Sequence, residues 1–253
     1  MSVPVLLLIV LAPAIGSFLG VLVDRLPRGE DVVRRRSACR SCGAGLAARD
    51  LVPVLSFALA QGRCRHCGTA LPTWLLYMEI SALGLALCAV AAGFQGVALW
   101  LNTVLLWLLM ALFVADIVWM RLPDLLNAAL FLCTLSLAIV PGGAGVAAAL
   151  IGAATGLGAF LLLRVGYRAL RGREGLGMGD VKLMAGLGAF AGVFHLPLLV
   201  FLASVGALGL VLAQRVMARQ GLPGGAERLP FGAALCAAAG LIWILRAAML
   251  IPA

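Results

Sequence analysis

Cys39-Arg40-Ser41-Cys42 and Cys64-Arg65-His66-Cys67 stand 21 residues apart, in a polar insert that interrupts an otherwise almost wholly apolar chain. Two residues between cysteines let both thiolates reach one ion from a tight knuckle. Two such knuckles complete the tetrahedron that Zn²⁺ accepts, so the spacing predicts a structural metal site made of Cys39, Cys42, Cys64 and Cys67. A zinc knuckle tied to an apolar body is an uncommon pairing, and it directs the reading of everything on either side.

The body is a membrane protein by composition. Of 253 residues, 64% are hydrophobic and only 11% charged, with a mean hydropathy of +1.12, well outside the soluble range. Eight apolar runs approach or exceed the length that crosses about 30 Å of hydrocarbon: residues 3–23, 74–93, 97–118, 125–140, 145–165, 181–194, 197–217 and 232–251. The sixth is short and rich in glycine. The first has no basic residue before it and no small-x-small cleavage site, so it reads as a retained helix, not a signal peptide. Its Pro4, Pro13, Gly16 and Gly20 predict close packing on a neighbour or a local bend. The expected fold is an all-α polytopic membrane protein of about eight transmembrane helices, with a cytoplasmic four-cysteine insert between helices 1 and 2. The domain reading is residues 1–23 as the first helix, 24–73 as the zinc-binding insert and 74–253 as the remaining bundle, which carries the aspartyl site. No clean internal repeat is visible.

Lys and Arg set the orientation. Eight spans put residues 24–73, 119–124, 166–180 and 218–231 on one side. Those segments and their immediate flanks hold 18 of the 19 basic residues, Arg246 being the exception. The positive-inside rule places them in the cytoplasm and both termini outside. The net charge of +9 is then accounted for by topology and anionic headgroups, with no nucleic acid required. Arg34-Arg35-Arg36 is expected near the inner leaflet, and the apolar stretch 51–60 against the knuckles or the membrane.

A reducing cytoplasm disfavours disulfides and leaves the four thiols available for metal. Two redox-active Cys-x-x-Cys pairs are the rival, without a thioredoxin-like strand and helix around either. His66 offers an alternative ligand, but four cysteines suffice and a solvated His is the plainer reading. Cys88, Cys133 and Cys236 lie alone in apolar spans and read as small core residues.

Carboxylates are scarce, and an Asp at mid-span costs about 2.5–3.5 kcal/mol on the insertion scale. Asp116 falls just inside the cytoplasmic end of the third span. Asp180 closes Gly177-Met178-Gly179-Asp180 and opens the sixth, at a similar depth. Two carboxylates at one depth can share a proton, one serving as base and the other as acid, which equips them to activate water against an amide. Each also has a plainer reading: Asp180 as an N-cap of its helix, Asp116 as a residue near headgroups. Asp124, after Pro123, reads as an N-cap. Glu79, one to two turns into its span, is expected to face the site, to snorkel or to pair with a basic residue.

These patches together resemble the type IV prepilin peptidase family of membrane aspartic peptidases. The resemblance rests on Gly16-Ser17-Phe18-Leu19-Gly20 running on to Asp24-Arg25-Leu26-Pro27, and on the two cysteine pairs flanking Leu51-Val52-Pro53-Val54-Leu55-Ser56. It continues in Tyr77-Met78-Glu79, in Asp116 eight residues before Asp124, and in Gly177-Met178-Gly179-Asp180-Val181-Lys182. Gly20 departs from the Asn that family members often carry.

The resemblance implies a bifunctional enzyme of the bacterial inner membrane. Such an enzyme cuts the basic leader from type IV prepilins or type II secretion pseudopilins at the cytoplasmic face. It then methylates the new N-terminus with S-adenosylmethionine. On the motif match Asp116 and Asp180 are the catalytic pair, and the cysteine insert favours methylation. Prepilin or pseudopilin substrates and membrane lipids are the expected partners. No Gly-rich nucleotide fingerprint locates the methyl donor. The rivals are a peptidase of this type without methylation, a proton-coupled transporter, whose carboxylates would spread across the membrane depth, and a non-catalytic zinc-bearing assembly factor.

Overall fold

Long apolar stretches without interior breakers become helices, and polar clusters with Gly or Pro end them. The structure, a computed structural model, describes residues 3–173, 175–218 and 229–250. Its helices are α1 (Val3–Arg25), α2 (Leu55–Leu59), α3 (Thr73–Ala91), α4 (Gly96–Trp119), α5 (Asp124–Ile139), α6 (Val146–Arg171), α7 (Met178–Ala218) and α8 (Phe231–Ala247). Short 3₁₀ turns cover Leu26–Arg28 and Ala48–Leu51. Among the described residues there is no β-strand, only two isolated bridges in the insert. Five helices, α1, α3, α4, α6 and α7, are long and apolar enough to cross a membrane, and α5 and α8 are shorter apolar helices. The chain is therefore an all-helical membrane protein. Ile251 and most of the loop 218–231 lie outside the described residues.

The chain divides into two compact units, Met1–Thr103 and Val104–Ala253. In the first, α1 packs along α3. Gly16 makes this possible: a Cβ there would lie 2.7 Å from both the Ala82 Cβ and the Met78 carbonyl. The expected close packing of the first helix is thus realised through its small residues. Leu6, Leu7 and Val10 face outward from α1, as a lipid-exposed flank requires.

In the second unit α7 is central, with α5, α6 and α8 packed on it. Gly152 and Gly188 bring the backbones of α6 and α7 into direct contact, and a side chain on either would collide with the other's carbonyl. Ala138, Ala149, Ala153 and Ala189 fill the neighbouring core under Phe131 and Leu135. Packing of small residues substitutes here for a hydrophobic driving force that lipid does not supply.

One boundary differs from the sequence reading. The break between the sixth and seventh apolar runs was expected at residues 195–196. It falls at Gly192, at φ 69° and ψ 169°, and the helical hydrogen-bonding pattern resumes at once. Only glycine takes that conformation without strain. Arg246, the one basic residue far from the others in the topology, explains how the break is tolerated. Its guanidinium donates to the carbonyls of Phe190 (2.7 Å) and Ala191 (2.9 Å), lies 3.2 Å from His195 Nδ1, and stacks over the Phe190 ring at 4.9 Å.

Candidate active site and metal centre

Three chain segments converge in the second unit: the last turn of α4, the first turn of α7 and the first turn of α8. Asp116 comes from α4 and is 6% exposed. Its Oδ2 accepts the Ala233 N–H at 2.8 Å, with the Gly232 N–H as a further donor. The N-terminal end of α8 thus faces a carboxylate, the arrangement that both the orphan amides and the helix dipole favour.

Asp180 is the third residue of α7, half-buried. It is not the N-cap, since Gly177 precedes the helix and accepts the Val181 N–H at 3.4 Å. Both glycines of Gly177-Met178-Gly179-Asp180 are used. A Cβ on Gly177 would lie 3.1 Å from Asp180 Oδ2, and one on Gly179 would lie 3.1 Å from the Leu122 Cβ. The loop leading in is held by Arg164, which donates to the Leu176 carbonyl at 2.7 Å. It also packs on the Tyr167 ring, 2.5 Å from where a Gly175 Cβ would be.

The two carboxylates meet at Gly232. The point where a Cβ would stand on that residue lies 3.0 Å from Asp180 Oδ1, 3.1 Å from Asp116 Oδ2 and 2.8 Å from Leu122 Cδ1. The two oxygens are therefore no more than 6.1 Å apart, both beside one backbone position. Cys236, one turn further along α8, is buried and electrostatically close to both. Gly232 and Leu122 were not read from the sequence. The only signal was a glycine two residues after Pro230, where the last span begins.

Asp124 departs from its expected role. Pro123 occupies the N-cap position of α5 and makes no side-chain cap. Asp124 lies in the first turn, exposed, and pairs instead with Lys182 at 2.7 Å.

The four-cysteine centre lies in the first unit. All four sulfurs sit within 4.8 Å of one another, and Cys39 Sγ is 3.8 Å from Cys67 Sγ. A tetrahedron with Zn–S bonds of about 2.3 Å has edges of about 3.8 Å, so the donor set fits that ion. Each knuckle is a miniature hairpin. Ala38 bridges Gly45, and Arg63 bridges Ala70. Cys39 N–H donates to the Ala44 carbonyl and Gly43 N–H to the Cys39 carbonyl; Cys64 N–H donates to Thr69 and Gly68 N–H to Cys64, all at 2.9 Å. Gly43 and Gly68 take φ 72° and 71°. The two are structural copies offset by 25 residues, Cys-Arg-x-Cys-Gly-x-x-Leu in each. The sequence reading had not seen this repeat.

Hydrogen bonds favour the thiolate at two of the four sulfurs, while at Cys42 the Ala44 amide is outweighed by burial and the neighbouring cysteines, which push that thiol up to about 11. The Thr69 hydroxyl, then its backbone N–H, bring the Cys67 thiol down to about 6. The amides of Cys42 and Ser41 lower Cys39.

The arginine inside each knuckle anchors it. Arg40 bridges Asp24, at the end of α1, and Glu30 at 2.7 Å; Arg65 pairs with Asp50 at 2.9 Å. Arg25, 7% exposed, donates to the carbonyls of Asp31 (3.1 Å) and Arg35 (2.6 Å) and so organises the loop that carries Arg34-Arg35-Arg36.

Glu79 faces the insert within this unit. Its Oε2 accepts the Val54 N–H at 2.7 Å. Val54 has φ 62° and ψ −51°, and Leu55 N–H reaches back to the Pro53 carbonyl at 2.6 Å. This is a γ-turn of the rare strained kind, on a β-branched residue.

A polytopic helical protein with two aspartates against one helix terminus, one of them closing a Gly-x-Gly-Asp turn, is a membrane protein with a paired-carboxylate centre. Residues 10–93 match the bacterial peptidase A24 N-terminal domain, and residues 103–213 match the type IV leader peptidase family. The chain belongs to the type IV leader peptidase family. It is 36% identical over 257 residues to the prepilin leader peptidase/N-methyltransferase of Burkholderia pseudomallei (strain 1026b), covering 90% of this chain and 81% of that protein. It is 32% identical over 260 residues to the protein of the same name from Aeromonas salmonicida (strain A449), covering 90% and 87%. Against that of Klebsiella pneumoniae the identity is 35% over 201 residues, covering 76% and 86%. No solved structure matches the chain.

Proposed function

We propose that this protein cleaves the basic leader peptide from type IV prepilins or type II secretion pseudopilins and then N-methylates the exposed N-terminus with S-adenosylmethionine. The observation that carries the reading is the meeting of Asp116 and Asp180 at Gly232, in a chain whose relatives are named for both activities. Asp116 and Asp180 are the catalytic pair. One carboxylate, ionised, takes a proton from water as the oxygen attacks the scissile carbonyl. The other, protonated, donates its hydrogen bond to that carbonyl. The tetrahedral intermediate collapses, the C–N bond breaks, and the leaving amine takes the proton that the base collected from water. The pair returns to its starting protonation.

Cys39, Cys42, Cys64 and Cys67 hold one structural Zn²⁺, which crosslinks the two knuckles and supplies folding energy to an insert with little core of its own. S-adenosylmethionine, when bound, would supply the methyl group that the free amine takes up, the methyl–sulfur bond breaking to leave S-adenosylhomocysteine and the amine releasing one proton. The protein is a multi-pass component of the bacterial inner membrane. Its apolar flanks contact lipid, its basic loops face the cytoplasm and its termini lie outside, with the sixth and seventh crossings meeting at Gly192. The distribution of the basic residues supports this orientation.

The test is purified protein incubated with a prepilin, with and without S-adenosylmethionine, and read by mass spectrometry. The expected products are leaderless pilin in both reactions and one added methyl only with the donor. Uncut prepilin overturns the reading; cut but never methylated pilin reduces it to a peptidase.

A further inference from the structure

We propose that Gly232 is a positioning residue for the carboxylate pair: the missing side chain lets the first turn of α8 approach Asp116 and Asp180 closely, and so sets where both carboxylates can sit. The inference rests on the reading of that pair as catalytic. Gly232 lies in the first turn of a helix, at none of the left-handed positions where glycine is needed for its backbone. Helix propensity alone would favour Ala there by about 1 kcal/mol. The reason for glycine has to be what a side chain would touch.

A Cβ would meet three atoms: Leu122 Cδ1 at 2.8 Å, Asp180 Oδ1 at 3.0 Å and Asp116 Oδ2 at 3.1 Å. Ordinary van der Waals contact begins at 3.4 Å. Leu122 can rotate away. The carboxylates have less freedom. Asp116 is buried and receives the Ala233 N–H. Asp180 is packed beside Gly177, where the Arg164 contact fixes the loop. A methyl group at residue 232 therefore displaces one or both carboxylates by a few tenths of an ångström, or tilts α8 and withdraws the amide from Asp116. Either change moves the groups that must share one water, and a misplacement approaching 1 Å costs on the order of 100-fold in rate.

Gly240 is the internal control. It lies on the same helix, two turns on, and a Cβ there meets nothing within 4 Å.

The experiment uses the full chain with purified prepilin, comparing Gly232→Ala, Gly240→Ala, Leu122→Ala and the Leu122→Ala/Gly232→Ala double variant. The readouts are kcat and KM for cleavage, and methyl transfer onto pilin that has already been cut, which does not use the pair. Gly232→Ala is expected to lower kcat by about 10- to 100-fold, with KM and methyl transfer within about twofold of the parent, while Gly240→Ala behaves as the parent. The double variant removes the Leu122 contact but not the two oxygen contacts, so it is expected to stay slow relative to Leu122→Ala. Parent-like cleavage by Gly232→Ala overturns the inference. So does recovery in the double variant, which would assign the effect to Leu122. So does loss of methyl transfer in step with cleavage in both Gly232 variants, which would make the glycine structural. Asp116→Asn and Asp180→Asn run alongside. If they cleave normally the catalytic reading itself fails; if they are inactive while Gly232→Ala is active, only this inference does.

Discussion

Replacing Asp116 with Asn should separate catalysis from structure almost completely. The substitution conserves volume, and the amide oxygen can keep the Ala233 N–H bond of 2.8 Å. That oxygen is also the one that approaches Gly232, so the new NH₂ group takes the Oδ1 position. Two full charges no more than 6.1 Å apart would repel by at least about 3 kcal/mol at an effective dielectric constant near 20, which is why the pair shares one proton. A neutral amide beside one carboxylate carries no such repulsion. Exchanging a charge-assisted acceptor for a neutral one costs about 1 kcal/mol. The variant should be as stable as the parent, within about 1 kcal/mol. It can neither take nor pass on the proton, so cleavage should fall by about 10⁴-fold, or about 5 kcal/mol of transition-state stabilisation. Asp180→Asn should fall as far. Asp124→Asn is the control, because an exposed ion pair such as the one with Lys182 is worth at most about 1 kcal/mol. The assay is leader removal followed by gel mobility and mass spectrometry, with methyl transfer to pre-cut pilin as the measure of intact folding. More than about 1% of parental cleavage in either Asn variant of the pair, with methyl transfer intact, would refute the reasoning.

Protein purified without chelator should carry about one zinc per chain. Cys64→Ser/Cys67→Ser should release it and leave the insert protease-sensitive, and metal-free parent protein by elemental analysis would count against the centre. Methylation should suffer more than cleavage in that double variant, because the pair and its supports lie in the unit Val104–Ala253 while the cysteines lie in Met1–Thr103; equal loss of both activities is the contrary result. Glu79→Ala should free the γ-turn at Val54, whose strain is worth about 1–3 kcal/mol, and expose residues 51–59 to limited proteolysis. Glu79→Gln keeps an acceptor and should stay protected, so equal resistance of all three proteins would remove Glu79 from this role.

The helices were legible because the signal that makes them is local. An apolar run bounded by Gly, Pro or charge has one stable form in hydrocarbon, and α3, α4, α5 and α6 begin within a residue of where the runs begin. The break in α7 was misplaced for an instructive reason. His195 and Pro197 look like an interruption, but proline is tolerated near a helix start and the polar ring finds Arg246. Gly192 looks like any other glycine of a small-residue stripe. What selects it is the guanidinium that donates to the carbonyls of residues 190 and 191, from a helix more than fifty residues later. Asp124 repeats the lesson: its local context says N-cap, and its partner Lys182 is 58 residues away.

The candidate site divides along the same line. Depth and motif context nominated Asp116 and Asp180 as members of a pair. Nothing in the chain around either residue says where the two meet. That information sits in the first turn of the last helix, in a residue with no side chain to draw attention, and it becomes visible only when a Cβ is placed there and found to touch both carboxylates. The metal centre is the opposite case, since Cys-x-x-Cys spacing is a local geometric constraint and can be read directly. Even there the sequence held more than its cysteines. The copy offset by 25 residues puts an arginine after the first cysteine of each knuckle, and each arginine finds its own carboxylates, Asp24 and Glu30 for Arg40 and Asp50 for Arg65. A repeat of that kind anchors each knuckle through an arginine and a carboxylate, and the four sulfurs come within 4.8 Å of one another. For an insert that buries so little apolar surface, local ion pairs and a shared ion are the means available to fix its shape.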